Sequence, residues 1–134
     1  MKLENNWRYK TLENLEKEVW SISDLSSRLV TRCNELRKIP LNKFTIEELR
    51  IMIGQQFSLD YLVPLSIDVL SEDIFAEGDL FEGDLLNSVL SIDAGFWKDN
   101  KLYWEEVHNL IKNHWSELNG QHLNADRFLD SKPR

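Results

Sequence analysis

Tyr61-Leu62-Val63-Pro64-Leu65-Ser66-Ile67-Asp68-Val69-Leu70 decides the fold, because only Ser66 and Asp68 interrupt an otherwise apolar run. A helix that is apolar nearly all round sits inside a molecule, covered by other elements, with no broad wet face. Pro64 lacks an N–H and fits near the start of such a helix, where the missing donor does little harm. Asp60 and Asp68 break the run well short of a membrane span.

Working outward, Thr45-Ile46-Glu47-Glu48 has the form of a capping box, in which the Thr oxygen and the second Glu carboxylate each take an orphan backbone N–H. It opens a helix with Ile46, Leu49, Ile53 and Phe57 on one stripe. Further upstream, Thr11 caps a short helix bearing Leu12, Leu15 and Val19, and Asp24 caps one bearing Leu25, Leu29, Cys33 and Leu36. Pro40 stops the latter. Downstream, residues 71–83 read as an acidic loop, Asp84 as the cap of a helix with Leu85, Leu86, Val89 and Leu90, and Asp93 as the cap of a further turn. A last long helix carries Trp104, Val107, Ile111, Trp115 and Leu118 before the Asn119-Gly120 stop. Residues 119–134 are expected to form a loosely docked tail, with one helical turn around Phe128. No stretch alternates like a strand, and Leu outnumbers Val by 21 to 6, which favours helix. The expectation is an all-α, single-domain bundle of roughly six helices over 1–134, with its core in 11–118.

The net charge of −7 is unevenly spread. Residues 1–50 hold ten basic and eight acidic side chains, and residues 98–134 hold six of each. Residues 51–97 hold nine acids and no Lys or Arg, and seven of the nine fall between Asp68 and Asp84. Such a surface is repelled by phosphate backbones, which argues against nucleic-acid binding and for a basic protein partner. One cysteine, Cys33, forms no internal disulfide, so the chain suits a reducing compartment such as the cytoplasm. Met1 to Lys10 lacks the apolar run of a signal peptide.

Residues for chemistry are sparse. Cys33 lies on an apolar stripe as a small hydrophobe. His108 and His114 are six residues apart, the wrong spacing for two metal ligands on a helix, and His122 has no clear position. An EF-hand register from Asp73 fails at Phe75 and Asp84. Gly54, between Ile53 and Gln55, is assigned to close helix packing. The Glu77-Gly78-Asp79-Leu80 stretch recurs five residues later as Glu82-Gly83-Asp84-Leu85, each Gly-Asp pair reading as a turn followed by a cap. Neither a metal nor a cofactor is expected.

Several motifs in order, Arg37-Lys38-Ile39-Pro40-Leu41, then Thr45 through Gln56, Leu62-Val63-Pro64-Leu65, Glu77-Gly78-Asp79, Gly83-Asp84-Leu85-Leu86 and Phe96-Trp97, resemble the bacterial immunity proteins of contact-dependent growth inhibition (CDI). The resemblance spans roughly residues 11–100. It implies a cytoplasmic, non-enzymatic protein that binds and blocks the toxic C-terminal domain of a surface-delivered effector, often a nuclease, as a one-to-one heterodimer, the free protein being a monomer. The acidic middle suits that role, since a nuclease presents cationic groups to hold phosphate. Interface residues are expected among Asp68, Glu72, Asp73, Glu77, Asp79 and Glu82, with Phe81 as an apolar anchor. Two other readings stay open: a helical adaptor for another basic protein, and a metal-dependent enzyme using the clustered carboxylates.

Overall fold

The computed structural model describes residues 3–121 and 123–134. Among them are nine α-helices and no strand: α1 Leu12–Glu16, α2 Arg28–Leu36, α3 Ile46–Gly54, α4 Leu59–Glu72, α5 Asp84–Leu90, α6 Ala94–Lys98, α7 Lys101–Asn113, α8 Trp115–Leu118 and α9 Ala125–Asp130. The chain is all-α, as its sequence leads one to expect. Helices of a turn or so, such as α1, α6, α8 and α9, raise the number above six.

The apolar run forms α4 and lies at the centre, packed against α3, α5 and α7. Leu62, Val63, Ser66, Ile67 and Leu70 are buried, and the Ser66 hydroxyl donates to the Leu62 carbonyl at 2.8 Å, so no polar atom there is left bare. The helix begins at Leu59, making Pro64 its sixth residue; its start therefore lies further upstream than the position of the proline suggests. The capping box at α3 is present in both directions: Glu48 N donates to Thr45 Oγ1 and Thr45 N to Glu48 Oε1. Arrangements of this kind are worth about 1 kcal/mol.

Four local expectations are corrected. Ser27, not Asp24, caps α2, with Val30 N donating to its hydroxyl at 3.1 Å. Residues 23–26 form a serine-tied turn instead of a first helical turn, and Leu25 projects into solvent. The chain breaks at His114 between α7 and α8, which turns Trp115 out of the buried stripe and leaves it 44% exposed. Gly54 ends α3 at the surface with no atom of another element within 4 Å of where a Cβ would stand, so close packing does not explain it.

Residues 123–134 carry α9, which packs against α5. Phe128 of α9 is wholly buried, stacked on Trp104 (5.0 Å, 12° between planes) and edge-on to Trp97 (5.4 Å). Trp104 Nε1 donates to the Phe128 carbonyl at 3.2 Å, and Asn124 bonds Asn87 and Ser91 of α5 and its cap. One aromatic side chain filling a gap between two indoles is enough to dock a segment with little amphipathic pattern.

Candidate functional site

Residues 73–83 leave α4 and return to α5, passing the N-terminal half of α3. Four successive amides in this loop end on two carboxylates. Gly78 N donates to Asp84 Oδ1 at 2.7 Å, Leu80 N and Phe81 N to Asp84 Oδ2 at 3.0 and 3.3 Å, and Asp79 N to Glu47 Oε1 at 2.9 Å. Successive N–H groups facing one way form an anion-binding concavity, here filled by the protein's own acids.

The two acids come from different helices, and Arg50 lies between them. Its guanidinium makes a two-point contact with Glu47, Nε to Oε1 and Nη2 to Oε2, both at 2.5 Å, and its Nε is 3.8 Å from Asp84 Oδ2. The hydrogen bonds from Arg50 hold the Glu47 carboxyl below its ordinary 4.5 against the opposing effect of burial, with the Asp79 amide adding to the lowering. The same pairing raises the Arg50 guanidinium. Asp84, expected as the cap of α5, is instead the buried first residue of that helix; Gly83 occupies the cap position with φ +89°. The carboxylate turns back into the loop because three unpartnered amides await it there. The two Gly-Asp copies thus have opposite roles: Asp84 is buried and holds the loop, while Asp79 is exposed and lends it only a backbone amide.

Backbone held from beneath presents its side chains outward. Leu80 is 64% and Phe81 42% exposed, with Glu77, Asp79 and Glu82 exposed around them. Glu72, Glu77, Asp79 and Glu82 form no ion pair with the described residues. Asp73 accepts from the Phe75 amide at 3.0 Å, so its carboxylate is partly spent on shaping the loop's first turn. Asp68 stands apart on α4, paired with Arg8 at 2.5 Å. The sequence-predicted set therefore divides into Glu77, Asp79, Phe81 and Glu82 together on the loop, Glu72 and Asp73 at its root, and Asp68 neutralised on the flank.

Sequence reasoning missed Glu47, Arg50, Gly78 and Leu80. Glu47 and Arg50 read as ordinary charges on a capped helix, and no periodicity links Glu47 to an amide 32 residues away. Leu80 read as one residue of the acidic loop and of its recurring Glu-Gly-Asp-Leu stretch, with no role of its own. The recurring Gly-Asp was the available signal, since two acids in like settings so close together cannot both be caps of one helix.

Among the described residues the remaining reactive groups do not converge on a site. Cys33 is wholly buried, and desolvation pushes its thiol up. His108 stacks on Trp104 at 4.8 Å, and His114 lies 3.2 Å from Glu117. His122 lies outside the described residues. Among the described residues no three His, Cys, Asp or Glu side chains gather as metal ligands, and no helix is long and apolar enough to cross a membrane.

A family model described as CDI immunity proteins matches residues 14–107, which takes in α2 through α6, most of α7 and the whole of the held loop. No curated protein matches the chain.

Proposed function

The chain belongs to the CDI immunity proteins, and from that premise we propose that it neutralises its cognate toxin by seating the 73–83 loop on a cationic surface of the toxin domain. The observation that carries this reading is the outward display of Leu80 and Phe81 among Glu77, Asp79 and Glu82, on a backbone tied down from behind. Exposed acids speed encounter with a basic partner and reject wrong ones, while a desolvated aromatic anchor sets the rate of release. A nuclease fits the partner's chemistry, because a cleft that holds phosphate is already cationic. Inhibition takes the form of a one-to-one complex in the cytoplasm, formed by a free monomer without cofactor, metal or catalytic step. Protection at low copy number requires nanomolar binding or tighter, about −12 kcal/mol.

Calorimetry with the toxin domain encoded immediately upstream tests this at about 0.15 M and about 0.5 M salt, where the screening length falls from about 8 Å towards 3 Å. Tight binding that weakens several-fold with salt, and is lost in the Glu77→Lys, Glu82→Lys double variant, is the expected result. Unchanged affinity in that variant moves the interface elsewhere. Absence of binding at micromolar concentrations removes the function.

A further inference from the structure

We infer that Glu47 is a positioning residue for toxin recognition, holding the loop in its binding conformation from the helix behind it. The inference rests on the function proposed above and adds a residue outside the displayed surface.

Glu47 does more than serve its own helix, where it is an acid of the first turn and pairs with Arg50 three residues on. The capping-box carboxylate is Glu48, and the side chains that bury α3 are Leu49, Met52 and Ile53. The Glu47 side chain, 19% exposed, bonds Arg50 of the same helix and also takes the Asp79 amide of the loop. The fit between helix and loop is close. A Cβ built on Gly78 would lie 2.5 Å from Glu47 Oε1 and 3.2 Å from Glu47 Cα, so position 78 leaves room for this carboxylate only as glycine. Asp79 N is the one amide of the four that Asp84 does not take. Glu47 therefore fixes the middle of the loop, immediately before Leu80 and Phe81, while Asp84 fixes both sides of it. Arg50 makes the pair of acids tolerable by lying against both.

A loop already in its bound form need not be ordered on docking. If only a fraction of free molecules hold that form, apparent affinity falls by the same fraction. Glu47 acts on affinity through that fraction, and its effect shrinks as the side chains it positions are removed.

The test uses the full chain as Glu47→Ala, Glu47→Gln, Phe81→Ala and the Glu47→Ala, Phe81→Ala pair, with hydrogen exchange on the free proteins and binding kinetics against the toxin domain. Glu47→Ala is expected to lower its thermal midpoint by only a few degrees and to speed exchange selectively at residue 79 and its neighbours. Affinity is expected to fall about tenfold, largely in the association rate. Glu47→Gln keeps an acceptor for Asp79 N and falls in between. In the Phe81→Ala background the same Glu47→Ala change is expected to cost clearly less affinity than in the wild type, because one of the two apolar side chains it positions is gone. Equal losses in both backgrounds, or unaltered exchange at residue 79, overturn the inference. So does wild-type binding matched by Glu47→Ala. If the wild type does not bind, the functional reading falls and this role falls with it.

Discussion

Residues 17–27 and 73–83 are irregular segments of equal length, and both hold apolar side chains out to solvent. Val19 is 69% and Leu25 96% exposed in the first; Leu80 and Phe81 play that part in the second. They differ in what lies under the backbone. The first is tied at its start by Arg37, which is buried, pairs with Glu16, donates to the Glu18 carbonyl at 2.8 Å and covers the Trp20 ring at 4.7 Å. Past Trp20 its hydrogen bonds, among the described residues, are those of the Ser23–Ser26 turn and of the Ser27 cap on α2, and none reaches a distant element. The second is gripped through its middle by carboxylates from two helices. Apolar exposure by itself is ordinary in globular proteins; exposure on a backbone that cannot relax around it separates the 73–83 loop from its counterpart.

The two segments part most widely at their anchors. Glu16→Ala leaves the buried Arg37 guanidinium without its ion-pair partner, and urea unfolding is expected to show a loss of about 3 kcal/mol. Toxin affinity measured under folding conditions should stay unchanged, because that anchor serves the fold. Gly78→Ala should do the reverse. Its methyl group displaces the Glu47 carboxylate from the Asp79 amide, for about 1 kcal/mol of stability and a much larger proportional loss of affinity.

Acid sharpens the contrast more gently. The folded-state value of Glu47 lies below its ordinary 4.5, so the stabilisation it gives is complete above that pH and is lost as pH falls through the lowered value. Exchange protection at residue 79 is expected to persist down to about pH 4.5 and disappear below it. Loss of protection well above that pH would show that the carboxylate is not what holds the loop. The smallest effect is reserved for Leu25→Ser, expected within about 0.5 kcal/mol in stability and neutral in binding. A large loss of affinity there would place the interface on the first segment.

What could be read from the residues follows the range of the interaction concerned. The centrality of α4 was legible because its apolar run leaves no wet face, and the Thr45 capping box because both its bonds span three residues. The Asp24 cap failed where several serines nearby offered equally good oxygens and Ser27 won. Of the candidate site, the acidic character of the loop was visible in composition, whereas the Glu47 bond joins α3 to a loop that no spacing rule connects to it. Phe128 escaped for a different reason: a single aromatic side chain carries no period.

The seat of Phe128 between Trp97 and Trp104 also orders events in time. Synthesis runs towards the C-terminus at about 5–20 residues per second, and until residue 128 is made both indoles keep an open side. Glu47, Arg50, Gly78 and Asp84 are all in the chain long before that. A nascent molecule therefore owns every part of its loop clamp while its aromatic core still waits for the residue that closes it.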